Sequence, residues 1–109
     1  MTEFAKTPQA PYYAVIFTSE LKEITEEYNQ TAQLMEELAK QQEGFLGIES
    51  ARNNIGITIS YWTSLDAIKK WKMHSEHLIA QQKGKNLWYK SYKTRICLVE
   101  REYRFDKSH

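Results

Sequence analysis

The stretch Phe45-Leu46-Gly47-Ile48-Glu49-Ser50-Ala51-Arg52-Asn53-Asn54-Ile55-Gly56-Ile57-Thr58-Ile59-Ser60-Tyr61-Trp62 decides the fold. Residues 45–52 and 55–62 are each strand-like, and Asn53-Asn54 between them tolerates the positive φ of a two-residue hairpin turn. The two runs are therefore expected to pair antiparallel. A helix-like segment stands on either side. Upstream, within residues 25–42, Tyr28, Ala32, Met35, Leu38 and Ala39 recur at three- and four-residue intervals, the spacing of an amphipathic helix, and Gly44 stops it. Downstream, Thr63 or Ser64 can cap a second helix, Asp66 stands near its positive end, and Leu65, Ile68 and Trp71 begin an apolar stripe. This helix is expected to end near Gly84, with a break or kink allowed between Met73 and Ser75, where Ser75-Glu76 could restart a turn. Residues 12–18 and 89–105, rich in Tyr, Ile, Val and Thr, read as the first and last strands.

The order strand, helix, strand, strand, helix, strand is the split βαβ arrangement of a ferredoxin-like α+β fold with an antiparallel sheet. Right-handed crossovers put both helices on one face of that sheet. Residues 12–18 and 55–62 are nevertheless apolar or aromatic on both alternating faces, and a soluble monomer seldom leaves such a patch in water. Residues 89–105, as one strand, would reach about 50 Å, beyond the usual strand length. The expectation is a homodimer whose sheets face each other, with the C-terminal strand crossing onto the partner. Residues 1–11, with Pro8 and Pro11, read as a flexible arm, and residues 12–105 as a single domain.

Composition narrows the function. The chain has 109 residues, 41% hydrophobic and 27% charged, with 15 Lys and Arg against 14 Asp and Glu and a net charge of +1. No single-sign field exists to attract nucleic acid or anionic lipid. No leader-like or bilayer-spanning run occurs, so no membrane association and a cytoplasmic location are expected. The one cysteine, Cys97, reads as a small buried hydrophobe among strand residues. No metal site is expected, because His74 and His77 lack a third ligand at a recognised spacing. Four glycines form no phosphate-cradling run, so neither flavin nor nicotinamide is expected in the usual manner.

The residues richest in chemistry are Trp71, His74 and His77, recurring at every third position of the second helix, followed by Trp88, Tyr89, Tyr92 and Arg95. The segment Ser60-Tyr61-Trp62-Thr63-Ser64-Leu65-Asp66-Ala67-Ile68-Lys69-Lys70-Trp71, then His74-Ser75-Glu76-His77, then Trp88-Tyr89-Lys90-Ser91-Tyr92, with the lead-in Glu43-Gly44-Phe45-Leu46-Gly47, resembles the antibiotic biosynthesis monooxygenase (ABM) domain family. The likeness spans roughly residues 12–103. It implies a dimeric α+β barrel and a choice of activities, because the family includes cofactor-independent oxygenases of aromatic polyketides, haem-degrading enzymes and many proteins with no established activity.

The haem-degrading branch uses an Asn on the first strand, a Trp on the second helix and an iron-ligating His about three turns beyond it. Trp71 matches the tryptophan, whereas residues 12–18 contain no Asn and the ligand position falls near Gln81. Haem binding or degradation is therefore the alternative. The oxygenase branch needs an apolar slot, a base near a hydroxyl and polar groups that hold an anion. The resemblance then casts His77 or His74 as the base, Arg95 as stabiliser of an enolate or phenolate, and Trp71, Tyr92, Trp62 and Trp88 as substrate contacts. The expected activity is a cofactor-independent monooxygenase acting on a planar aromatic or quinone-like small molecule, with a non-catalytic ligand-binding module as a further alternative. A packing reading stands beside each assignment: Trp62 and Trp71 as core, the histidines as helix-end groups, Arg95 as a surface cation, and Tyr89 and Tyr92 as interface aromatics.

Overall fold

Threonine at position 25 starts the first helix and serine at position 64 starts the second, each by the same device. In the computed structural model, which describes residues 4–81 and 88–107, the Thr25 hydroxyl accepts a hydrogen bond from the Tyr28 amide at 3.0 Å. The Ser64 hydroxyl accepts one from Ala67 at 3.1 Å. Both satisfy amides that a helix N-terminus leaves unpaired. The elements are β1 (Tyr12–Leu21), α1 (Glu26–Lys40), β2 (Phe45–Arg52), β3 (Gly56–Trp62), α2 (Leu65–Gln81) and β4 (Tyr89–Val99). The strands form one sheet in the order β2-β3-β1-β4, and every neighbouring pair is antiparallel. This is the ferredoxin-like α+β fold that the element order predicts.

Two expectations are corrected. The second helix has no break between Met73 and Ser75. The Ser75 hydroxyl donates back to the Lys72 carbonyl at 3.1 Å and so stays within the turn it was expected to end. The last strand stops at Val99 rather than at Phe105, because its register against β1 ends with Tyr12 opposite Val99. Pro11 precedes Tyr12 and offers no amide to continue the ladder. The expected helix end near Gly84 lies outside the described residues.

Register divides the side chains between two faces. Tyr13, Val15, Phe17 and Ser19 share one face with Thr58, Ser60 and Trp62, with Ile48, Ser50 and Arg52, and with Tyr92, Thr94, Ile96 and Leu98. Both helices lie on this side: Trp71 of α2 stacks on Trp62, and Tyr28 of α1 meets Tyr89, which packs on Phe17. Trp62 is fully buried there, with Ile68 and Ala39 close behind. The other face carries Tyr12, Ala14, Ile16, Ile57, Ile59, Tyr61, Arg95 and Cys97. Residues near both ends of the chain reach part of it. The Ala5 amide donates to Glu49 at 2.8 Å, and the Tyr12 hydroxyl donates to Glu102 at 3.0 Å. Ile57 on this face is 43% exposed, and Cys97 is half-buried. No helix among the described residues is long and apolar enough to cross a membrane.

Candidate functional site

Trp62 closes β3 and points to the helix side, where the cap at Ser64 sets α2 across it. The Trp62 indole N–H donates to the Ser60 hydroxyl at 2.8 Å, and its ring meets Phe45 edge-on at 5.5 Å. Trp71 stacks on Trp62 at 6.0 Å, and His74 stacks on Trp71 at 5.8 Å, both with planes 25° apart. Three rings thus form a ladder from a fully buried indole, through the half-buried Trp71, to an exposed imidazole. In the same cross-strand row as Trp62 stand Tyr13 and Leu98. Leu98 lies two strands, or about 10 Å, away. Leu98 is 54% exposed and Ile96 52%, so neither helix covers this corner. Tyr13, Val15, Ile96 and Leu98 thus form an apolar strip on the helix-side face at the end of the sheet where the ladder stands.

The remaining candidates are dispersed. Trp88, which is buried, meets the Tyr28 ring at 5.6 Å. Tyr92 and Tyr89 pack with Phe17 toward the opposite end of β1. His77 is exposed on α2 and makes no ring contact or ion pair among the described residues. Arg95 pairs in register with Ile16 and therefore faces away from Trp62 and Trp71, on the other side of the sheet. Among the described residues no group of three or more His, Cys, Asp and Glu is placed to hold a metal ion.

The sequence reading missed a polar cluster on the far face. There the Tyr61 hydroxyl donates to Glu49 at 2.6 Å, and Tyr12, which receives a hydrogen bond from Thr7 at 2.9 Å, meets Tyr61 edge-on. A cavity of about 430 Å³ opens beside it, lined by residues 7–10 and 100–103 and remote from the Trp71 ladder. Its components lie some 90 positions apart in the chain, so local spacing held no signal for it. Burial, then the hydrogen bond to Glu49 and its charge, raise the Tyr61 phenol above the ordinary tyrosine range. Burial, then Tyr28, do the same to Tyr89.

A pH dependence follows from these shifts. Below pH 10, the ordinary tyrosine value, folded and unfolded chains both hold these phenolic protons. Above it the unfolded chain releases protons that the folded chain still binds, so stability falls with rising pH. Tyrosinate absorbance followed alongside circular dichroism should show Tyr61 and Tyr89 ionising together with loss of structure. A full tyrosine titration completed at pH 10 with the fold intact would contradict this.

With this geometry in place, comparison with solved structures shows what the fold is similar to. The chain is similar to SnoaB, a cofactor-independent oxygenase from Streptomyces nogalater, with a TM-score of 0.66 at 14% identity, covering 92% of this chain and all (100%) of that one. It is also similar to a protein from Chloroflexus aurantiacus provisionally assigned as an antibiotic biosynthesis monooxygenase, with a TM-score of 0.53 at 15% identity over 79% of this chain and 92% of that one. The fold is thus ABM-like. No family model matches the sequence. The chain is 47% identical over 110 residues to the uncharacterized protein YqjZ of Bacillus subtilis (strain 168), covering 99% of this chain and 96% of that protein, and it belongs to the same family as YqjZ.

Proposed function

We propose that the protein is a cofactor-independent monooxygenase whose substrate is a planar, electron-rich phenol or hydroquinone-like compound lying over the uncovered Ile96 and Leu98 beside Trp71. The observation that carries this reading is the Trp62–Trp71–His74 ladder, which ends on an exposed imidazole at the end of the sheet where Ile96 and Leu98 lie uncovered. A planar substrate lies over Leu98 and Ile96 and meets the edge of Trp71, whose two faces are taken by Trp62 and His74. His74 takes the hydroxyl proton as general base. The resulting anion passes one electron to dioxygen, superoxide and substrate radical combine at a ring carbon bearing hydrogen as a peroxide anion, and the His74 imidazolium returns its proton to that anion. The hydroperoxide then loses water, leaving a carbonyl at that carbon, so one oxygen atom enters the product and the other leaves as water. The likeness to SnoaB supports this use of the fold. Arg95 belongs in this reading to the opposite face, where with Ile57 and Ile59 it meets a second copy of the chain in a homodimer.

Dioxygen consumption with naphthohydroquinone and anthrone as substrates provides the test. The dimeric protein, its mass confirmed by sedimentation, should accelerate uptake over buffer. His74→Ala should lower kcat about 100-fold, and Trp71→Ala should chiefly raise KM. Uptake no faster than in buffer, or a hemin Soret shift abolished by His74→Ala in place of oxygenation, would refute the oxygenase reading. The second outcome would favour haem as the ligand.

A further inference from the structure

The end of the helix-side face remote from Trp71 holds a cation that forms no ion pair among the described residues. Arg52, Gly56, Ser19 and Tyr92 form one cross-strand row spanning all four strands. Arg52 ends β2, and its guanidinium lies across Gly56 to donate from Nη2 to the Ser19 hydroxyl at 2.6 Å. Only glycine permits this crossing, because a Cβ at position 56 would collide with the guanidinium. Ser19 is 3% exposed and Arg52 is half-buried. Among the described residues no carboxylate forms an ion pair with Arg52.

A neutral hydroxyl compensates a partly desolvated guanidinium poorly, and a planar fork of five N–H donors suits a carboxylate. No buried side-chain nitrogen among the described residues lacks a partner. The guanidinium nitrogens not bonded to Ser19 are therefore accessible. Beyond Ser19 in the same row stands Tyr92, whose ring packs on Phe17 at 5.3 Å and on Tyr89 at 5.2 Å, and Tyr89 in turn meets Tyr28 at 6.1 Å.

We propose that Arg52, seated over Gly56 and Ser19, is the anion-recognising centre of a second binding site, which takes the carboxylate of a planar aromatic acid and stacks its ring against Tyr89 and Tyr92. The site stands at the opposite end of the sheet from His74 and does not depend on the oxygenase reading.

Calorimetric titration with 2-naphthoate, against 2-naphthylmethanol as its neutral counterpart, tests it. The native protein should bind the acid at least about tenfold more tightly than the alcohol, the factor expected of a charge-assisted hydrogen-bonded pair. Arg52→Gln should abolish that preference, Arg52→Lys should keep part of it, and His74→Ala should leave it unchanged. Equal affinity for acid and alcohol in the native protein, or loss in His74→Ala with retention in Arg52→Gln, would overturn the proposal. Should Arg52→Gln fail to fold, amide shifts in the native protein decide the matter. Perturbation by 2-naphthoate centred on Ser19, Gly56 and Tyr89 supports the site, and perturbation confined to α2 refutes it.

Discussion

Replacing Trp62 with alanine should cost about 3–5 kcal/mol of unfolding free energy, the range for deleting a large buried aromatic. Trp62 has no exposed surface. It packs on Phe45 from β2 and Trp71 from α2, so it ties three elements at one point. Its removal also strands the Ser60 hydroxyl, itself only 8% exposed, without its indole donor. A domain of this size has of the order of 5–15 kcal/mol in total, so the variant should unfold at a much lower urea midpoint with a similar slope. Trp62→Phe keeps most of the packing and should fall well short of that loss. A midpoint within error of the native protein for Trp62→Ala would mean that the ladder contributes little to stability.

Gly44→Val should be nearly as damaging, by roughly 2–5 kcal/mol, through two mechanisms that add. Gly44 sits at φ +89°, a conformation that costs an L-residue about 1–2 kcal/mol and a β-branched one more. A Cβ there would also stand 2.7 Å from the Ala67 Cβ and 2.8 Å from the Thr63 hydroxyl, and overpacking of this kind costs about 1–3 kcal/mol. The Gly44 carbonyl accepts from the Thr63 amide at 2.9 Å, so the strain falls on the lead into α2 and should displace Trp71 and His74. Urea denaturation measures the first effect. Reduced Trp71 quenching by its neighbours in the folded variant measures the second. A Gly44→Val protein with native stability would show that this turn relaxes without cost.

How much of this was legible beforehand depended on whether the signal was local. The element order could be read because hairpin, cap and helix signals are each confined to a few neighbouring residues, and the packing reading of Trp62, set beside its reading as a substrate contact, rested on the weight that large aromatics carry in small cores. The final strand was drawn too long because residues 100–105 alternate like a strand, and only the sheet shows that β1 offers no partner beyond Tyr12. Arg95 was grouped with the helix residues because the parity of a strand is set by register, which one chain segment does not reveal. His77 was placed on the Trp71 flank, but a three-residue step on an α-helix falls about 60° short of a full turn, and two steps rotate it well away. Arg52 carried no signal because its hydrogen-bond partner Ser19 is 33 positions distant.

The strand order has a mechanical consequence. β1 and β4 are antiparallel neighbours, with Tyr12 opposite Val99, and the Arg104 guanidinium hovers 5.7 Å over the Phe4 ring. Tension applied between these two points meets the ladder at its tip, where bonds part in succession like the teeth of a zip rather than together in shear. A molecule tethered there should yield at low load in an optical trap, whereas one gripped at the Asn53–Asn54 turn and at Arg104 should resist for longer.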